Sequence, residues 1–153
     1  AALKDSGFTL EEWVIFASIV QKESASVEEM YNVSSVFHNR LSNTSEYPML
    51  QSCTTNNFIW DYVEPYYHDQ VPQAVLDAYD TYGRNGLPVG AIANADTDAF
   101  DASLHPNDTP YYFFVTDVEY THYYAVTYQQ HLANIEKAKA VNARYDIDGL
   151  VTG

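Results

Sequence analysis

Cysteine and basic residues are scarce in this chain of 153 residues, and each scarcity excludes a class of protein. Cys53 is the single cysteine, so the sequence holds no internal disulfide and no cysteine-rich zinc site. Seven Lys and Arg stand against 21 Asp and Glu, which gives a net charge of −14 at pH 7. Because this charge repels nucleic-acid phosphates and anionic lipid headgroups, we expect no nucleic-acid partner and no direct binding to a membrane surface.

Long apolar runs and a signal peptide are also missing. The longest apolar run, residues 13–20, is interrupted by Ser18 and is too short to cross a bilayer. We therefore expect membrane attachment only through an anchor that is not in this chain.

Several well-known catalytic motifs do not occur. The sequence contains no HExxH, GxSxG, GxGxxG or GxxxxGK[ST], and Cys53 lacks the flanking signature of a nucleophilic cysteine. Four lysines in so short a chain also disfavour a pyridoxal-phosphate enzyme. We expect neither a metal site nor a cofactor, because the five histidines show no metal-ligand spacing. They are His38, His68, His105, His122 and His131.

Three capping boxes mark the starts of helices. In each, Thr or Ser is followed three residues later by Glu or Gln, a pairing in which side chains satisfy the first backbone N–H groups of a helix. The helices are expected to end near Ser24, Leu41 and Asn142. The capping boxes occupy residues 9–12, 26–29 and 127–130.

The rest of the chain predicts shorter elements. Pro72 suits the first turn of a helix that Gly83 and Gly86 would end, and Thr97 could cap a short helix over 98–104. Aromatic and β-branched runs predict two strands joined as a hairpin. The strands cover 111–116 and 122–126, and residues 42–70 are expected to be irregular. The predicted class is α+β, a mainly helical single domain with a small antiparallel sheet.

Glu23 is the most informative acidic residue. At 100° per residue it lies about 20° from Phe16 and about 40° from Ile19 on the first long helix, so it projects from an apolar stripe. It also lies near the C-terminal end of that helix. Burial and the helix dipole both favour the neutral carboxyl group, which is the form that a general acid requires. The alternative is a Glu23 that is ion-paired or solvated at a frayed helix end.

A glycosidase normally needs two carboxyl groups. No second acid shares the apolar run and helix-end placement of Glu23, although 21 acidic residues leave a partner possible. One acid suffices when the substrate supplies the nucleophile, as when the C6 hydroxyl of a peptidoglycan sugar attacks its own anomeric carbon. The 14 tyrosines suit stacking on sugar rings, and equally suit the strands and half-buried faces of a small domain.

Several segments, in the same order along the chain, resemble segments of one known protein family. ASIVQKE at 17–23 is similar to the family's ASIVEKE, whose last Glu is catalytic, and SVFHNRL at 35–41 is similar to SVFxNRL. LQS at 50–52 resembles LQ[ST]D, and YDTY with GLPVGAIAN at 79–82 and 86–94 resembles YNTY and GLPPGPIxNPG. HP with YFFV at 105–106 and 112–115 resembles xP and YLYFV, and His122 and His131 fall on GGHxFxxxxxEHN. On these segments the chain resembles the YceG-like (MltG) family of endolytic murein transglycosylases.

The chain departs from the family pattern at several positions. Cys53-Thr54-Thr55 stands where the family has Asp-Pro-Thr, and Val89 replaces a proline. Ala95-Asp96 replaces Pro-Gly, Tyr120-Thr121 replaces the Gly-Gly before His122, and Leu132 replaces the Asn after the last His. These changes indicate a divergent member, and whether its activity is reduced or altered stays open at the level of sequence.

The resemblance implies a catalytic domain over residues 1–153 that cuts the β-1,4 bond between N-acetylmuramic acid and N-acetylglucosamine and leaves 1,6-anhydro ends. It implies peptidoglycan as substrate, the extracytoplasmic face of the bacterial cytoplasmic membrane as location, and the cell-wall synthesis machinery as a partner. Family members carry an N-terminal membrane anchor and a LysM-like domain. Neither is found in this sequence, so we expect the catalytic domain alone.

The resemblance makes Glu23 the catalytic acid. Gln51, Asn39 and Asn94 become candidate donors to sugar hydroxyl and acetamido groups, with loop capping as the alternative. Arg40 would hold a peptide-stem or lactyl carboxylate, or else pair with an acid of the chain. His122 and His131 would line the cleft or orient Glu23, with a core hydrogen bond as the alternative.

Two other functions stay open at the level of sequence. The changes after Gln51 would also suit a non-catalytic peptidoglycan-binding module on the same scaffold. A Tyr-rich structural domain in a cell-wall assembly complex is the second alternative.

Overall fold

The structure is a computed structural model that describes residues 2–68 and 70–147. Its described part combines helices with one two-stranded antiparallel sheet, which confirms the predicted α+β class. Within that part no helix is both long and apolar enough to cross a membrane. In chain order the elements are α1 (Ala2–Ser6), α2 (Leu10–Glu23), α3 (Val27–Ser42), α4 (Cys53–Phe58), a π-helix (Ile59–Val63), α5 (Glu64–Tyr67), α6 (Gln73–Tyr79), α7 (Thr97–Leu104), β1 (Phe113–Thr116), β2 (His122–Ala125), α8 (Tyr128–Asn142) and a 3₁₀ turn (Ala143–Tyr145).

Helix α2 forms the centre of the fold. Thr9 and Glu12 make the predicted capping box at its start, and every residue from Ile15 to Val20 is buried. The helix packs against α3 and α7, and Phe16 at its middle is fully inaccessible to solvent. Burial of these α2 side chains removes apolar surface from water and stabilises the helix in its place. The last residue of the helix, Glu23, therefore has a fixed position.

The β-hairpin lies beside α3 and α8. Phe113 pairs with Ala125 and Thr116 with His122, within the strands that the sequence predicts but one or two residues shorter. Asn39 of α3 holds the approach to β1, because its side-chain amide donates to the backbone carbonyls of residues 109 and 111, each at 2.8 Å. Thr127 and Gln130 form the predicted capping box of α8.

The prediction of an irregular segment over 42–70 is wrong, because α4, the π-helix and α5 lie there. The buried face of α4 is made of Thr54 and Thr55 rather than apolar residues, so hydrophobic periodicity does not mark it. Ser52 stands at the N-cap but its hydroxyl makes no capping bond, which removes the other sequence signal.

Three smaller predictions are also corrected. Asp96, not Thr97, caps α7, since its carboxylate accepts the N–H of Ala99 at 2.9 Å. Pro72 occupies the N-cap of α6 rather than its first turn. Helix α6 ends at Tyr79, before the two glycines that the sequence predicts as its end, and α1 has no counterpart among the predicted elements.

Candidate active site

A cleft of about 480 Å³ opens where the C-terminal end of α2 meets the hairpin, a volume within the usual range for ligand sites. Glu23, Arg40, Gln51, His122 and His131 all line it, so the fold brings five of the seven predicted site residues together. Its walls are rich in aromatic rings, which offer flat apolar faces to a sugar. The aromatic lining residues are Tyr82, Tyr112, Phe113, Phe114, Tyr120 and Tyr128.

Glu23 is the last residue of α2, and its side chain is half-buried in the cleft wall. The Ser52 hydroxyl donates to its Oε1 at 2.5 Å, and the Thr54 hydroxyl donates to the same atom at 3.0 Å. The backbone N–H of Thr54 adds a third, longer contact at 3.4 Å. Among the described residues no hydrogen bond reaches Oε2. The carboxyl group is therefore held by one oxygen and keeps the other for a ligand or a proton.

The donors to Glu23 belong to a cluster of buried hydroxyl groups. The Ser52 N–H donates to Thr81 Oγ1 at 2.9 Å, while Thr81 Oγ1 and Thr55 Oγ1 share a hydrogen bond of 3.0 Å. Thr55 Oγ1 also donates to the Ser52 carbonyl at 2.8 Å. All four hydroxyl side chains of this cluster, on Ser52, Thr54, Thr55 and Thr81, are buried. Because each is fixed by another, the cluster presents donors to Oε1 at set positions.

Burial raises the pKa of Glu23 above its ordinary value, and the hydrogen bonds from Ser52 and Thr54 offset part of that rise. The direction is the one expected for a general acid, which must keep its proton near neutral pH. Since the donors occupy Oε1, the proton belongs on Oε2.

Gln51 has a left-handed backbone conformation, with φ of 57°, which is unusual for a residue other than glycine. Its side-chain oxygen accepts a hydrogen bond from the Arg40 guanidinium at 2.9 Å. With the oxygen engaged, the NH₂ group of the Gln51 amide is the part left to donate into the cleft. Strained backbone of this kind is frequent at functional sites.

Arg40 is only 4% exposed, and most of its binding capacity is used inside the protein. Its guanidinium donates to the carbonyl groups of Met49 and Tyr112 at 3.0 and 2.9 Å, besides Gln51, and it packs over the ring of Tyr47. Three of its five N–H groups are thus committed. Among the described residues Arg40 forms no ion pair with an acid. The structure therefore does not show the predicted alternative, in which Arg40 pairs with an acid of the chain.

The two cleft histidines occupy different settings. His122 Nε2 lies 3.1 Å from the backbone carbonyl of Glu23, so the ring meets the end of α2 and not the carboxyl group. His131 stacks on Phe113 with ring centroids 5.2 Å apart, and its Nδ1 is buried without a hydrogen bond from the described residues. Burial, together with the charge of Arg40, lowers the pKa of His131 and favours its neutral ring.

Asn39 and Asn94 do not line the cleft. Asn39 uses its amide on the backbone before β1, and Asn94 is exposed on the loop before α7. A role for either side chain in substrate binding stays a prediction.

Asp117 is a second carboxylate on the cleft lining, but it serves the hairpin. Its Oδ1 accepts the N–H groups of Glu119 and Thr121 at 2.9 and 3.0 Å, and its Oδ2 accepts the Tyr123 hydroxyl at 2.8 Å. Asp117 is also almost fully buried. It therefore holds the loop between the strands rather than standing free as a partner for Glu23.

Sequence reasoning missed Thr54, Thr81 and Tyr82 as parts of the site. Ser52 lies inside the LQ[ST]D-like segment, which was a signal for it, whereas no motif marks a threonine that reaches Glu23 from α4. Burial, with smaller effects from Cys53 and Glu23, raises the pKa of Tyr82 to about 12, so its phenol stays protonated in the cleft. Across residues 2–68 and 70–147 no three His, Cys, Asp or Glu side chains cluster as metal ligands would.

Comparison with known proteins extends these observations. The sequence model of the YceG-like family matches residues 1–137. A Bacillus subtilis (strain 168) protein named endolytic murein transglycosylase is 26% identical over 145 residues, which cover 93% of this chain and 38% of that protein. A Streptococcus pneumoniae (strain D39) protein of the same name is 28% identical over 153 residues, which cover 94% of this chain and 26% of that protein.

A crystal structure of a YceG-like protein from Listeria monocytogenes has the same fold. Its TM-score is 0.70 at 24% sequence identity, and the match covers 86% of this chain and 42% of that one. The chain thus spans well under half the length of the relatives it matches.

Proposed function

The chain belongs to the YceG-like family, and from that membership we propose that it is the part of an endolytic murein transglycosylase that cleaves glycan strands. The observation that carries the proposal is Glu23 itself. Its carboxyl group has a raised pKa, lines an aromatic cleft and is tied to the protein through Oε1 alone among the described residues.

Glu23 acts first as an acid. Its Oε2 proton passes to O4 of the leaving N-acetylglucosamine as the bond from that oxygen to C1 of N-acetylmuramic acid breaks. The C6 hydroxyl oxygen of the same N-acetylmuramic acid then attacks C1 and closes the 1,6-anhydro ring. The hydroxyl proton goes to the Glu23 carboxylate, so the enzyme is regenerated and no water is consumed.

The positive charge that develops at C1 needs stabilisation, and Asp117 is committed to the hairpin. The acetamido carbonyl of the substrate supplies that stabilisation in our proposal. Gln51 positions the sugar by donating from its amide NH₂ group to a sugar hydroxyl, with Arg40 fixing the orientation of the amide. Tyr82 and Tyr120 at the cleft wall stack on the sugar rings.

The substrate sets the location. Peptidoglycan lies outside the cytoplasmic membrane, so we place the chain on the extracytoplasmic face, held there by an anchor beyond these residues and working beside cell-wall synthesis proteins. The net charge of −14 gives it no electrostatic affinity for anionic lipid headgroups.

The decisive experiment is the Glu23→Gln substitution, assayed on purified peptidoglycan by muropeptide analysis. The amide cannot donate and recover a proton, so cleavage should fall by roughly 10²–10⁴-fold. Glu28→Gln is the matched control, because Glu28 is exposed on α3 outside the cleft and its loss should leave the rate unchanged.

The products decide between the alternatives. Internal cuts that leave 1,6-anhydro ends support the proposal, whereas reducing ends indicate a hydrolase. If the parent chain retains intact glycan in a pull-down but never cuts it, the domain is a binding module. A Glu23→Gln variant that cuts at the parent rate would remove Glu23 from the mechanism.

A further inference from the structure

A second, smaller cavity of about 220 Å³ is lined by residues of α4, the π-helix and α6. Trp60, in the π-helix, forms one wall and is 58% exposed, although a large aromatic side chain usually gains most by burial. Short π-helices occur frequently at functional sites, and this one sets the indole at the cavity. The cavity is lined by Asn56, Ile59, Trp60, Gln73, Leu76, Asp77 and Asp80.

The polar groups of this cavity are planar and already ordered. The Gln73 amide donates to the Asp77 carboxylate at 2.7 Å, and the Asn56 amide lies 3.4 Å from Asp80 Oδ1. One exposed aromatic face beside several amide and carboxylate groups matches the chemistry of a pyranose ring. A pyranose has an apolar face for stacking and hydroxyl groups that both donate and accept.

The cavity continues the wall of the main cleft. Cys53 lines the cleft and Asn56 lines the cavity, one turn later on the same face of α4, and Trp60 follows four residues beyond. Seven residues of helical rise separate Cys53 from Trp60, which is about 10 Å. Asp80 joins the two sites from the other side, since it accepts the backbone N–H of Tyr82 in the cleft at 3.0 Å.

The negative charge at this cavity favours a neutral ligand. Asp77 and Asp80 place negative charge at the cavity, and no Lys, Arg or His is among its described lining residues. Phosphate groups and peptide carboxylates would be repelled, whereas a neutral sugar would not.

We propose that the Trp60 cavity is a distal subsite that binds a neutral sugar ring of the same glycan strand whose cleavage we assign to Glu23. The proposal rests on the proposed function for the identity of the strand, but the binding itself is independent of the chemistry. A strand threaded along α4 would reach both sites, so long strands would be held at two places and short ones at one.

Intrinsic fluorescence tests the subsite, because the chain has only two tryptophans. Trp13 is engaged with Ser103 through a 2.7 Å hydrogen bond, so a change caused by sugar should come from Trp60. The Glu23→Gln variant, which should bind without cutting, is titrated with β-1,4-linked N-acetylglucosamine as a disaccharide and as a hexasaccharide. We expect the hexasaccharide to bind more tightly and to change the fluorescence.

Adding Trp60→Ala to the Glu23→Gln variant should weaken hexasaccharide binding about tenfold, which is the size expected for loss of one aromatic contact. Disaccharide binding in the cleft, measured by calorimetry, should stay unchanged. Tyr66→Ala is the matched control, since Tyr66 is 85% exposed on α5 and does not line the cavity. Its affinities should equal those of the starting variant.

Equal hexasaccharide affinity with and without the Trp60 indole would overturn the subsite. So would a fluorescence change produced by Ca²⁺ alone that sugar does not produce, because the acidic pair would then be a cation site. Failure of the proposed function has a different signature: Glu23→Gln would still cut peptidoglycan, while the length dependence at Trp60 would be unaffected.

Discussion

Replacing Thr54 by Val should raise the pKa of Glu23 further. The substitution keeps the shape of the side chain and removes the hydroxyl that donates to Oε1 at 3.0 Å. A hydrogen bond to a charged group contributes about 1.5–3 kcal/mol. Ser52 and the Thr54 N–H remain as donors and compensate in part, so the free-energy difference between the protonated and the ionised carboxyl should change by no more than about the lower figure.

Two measurements follow from this change. A carbon-detected NMR titration of the Glu23 carboxyl should show the higher pKa directly. The alkaline limb of the activity profile should move upward by the same amount, because the acid keeps its proton to higher pH. Thr54→Ser keeps a hydroxyl and should retain the parent pKa, while Thr44→Val, at an exposed threonine outside the site, should change neither quantity.

Stability should respond with a defined sign. The lost hydrogen bond stabilises the ionised carboxylate, so the variant should be less stable than the parent only where Glu23 is ionised in the folded parent. The difference should vanish below the unfolded pKa, where the carboxyl is protonated in both states, and should develop as pH rises through the folded value. An unchanged or lowered pKa in Thr54→Val would refute the idea that the hydroxyl cluster controls this carboxyl.

Three further predictions concern Glu23, Gln51 and Phe16. Because the folded pKa of Glu23 is raised, its ionisation opposes folding, so Glu23→Gln should be more stable than the parent at neutral pH and should lose that advantage in acid. Urea denaturation at several pH values measures this, and a constant difference across pH would contradict it. Gln51→Ala should lower turnover and also cost about 1–3 kcal/mol in unfolding free energy, because the buried Arg40 guanidinium loses an acceptor, whereas a stability loss with unchanged specific activity would make Gln51 a purely structural residue. Phe16→Ala should cost about 3–5 kcal/mol in unfolding free energy, since its ring is fully buried, and a loss below about 1 kcal/mol would mean that the α2 core is packed differently.

Local signals predicted much of the fold. Thr9 and Thr127 each combine with a residue three positions on to form a capping box, and such pairs depend only on neighbours in sequence. The segment after Ser52 escaped prediction because tertiary structure uses its side chains. The Ser52 hydroxyl binds Glu23 instead of capping α4, and buried threonines replace the apolar stripe.

Only part of the candidate site was predictable from the sequence. The helical position of Glu23 pointed to burial beside Phe16 and Ile19, and the raised pKa has the direction that this position implies. Thr81 lies in the YDTY segment at 79–82, but its bond to Ser52 could not be foreseen, because the two residues are 29 positions apart in sequence and meet only through the fold. For Arg40 the sequence offered a carboxylate partner, whereas a buried guanidinium can be satisfied by backbone carbonyl groups that no motif records.

The left-handed backbone of Gln51 has a consequence for engineering. A residue with a Cβ loses about 1–2 kcal/mol in that conformation, and glycine would avoid the penalty. Glycine would also remove the side-chain oxygen that accepts from the buried Arg40 guanidinium, and that loss of about 1–3 kcal/mol offsets the relief of strain. A search for heat-resistant versions of this domain should therefore gain little at residue 51 and is better directed at positions remote from it, which also keeps the amide that faces the cleft.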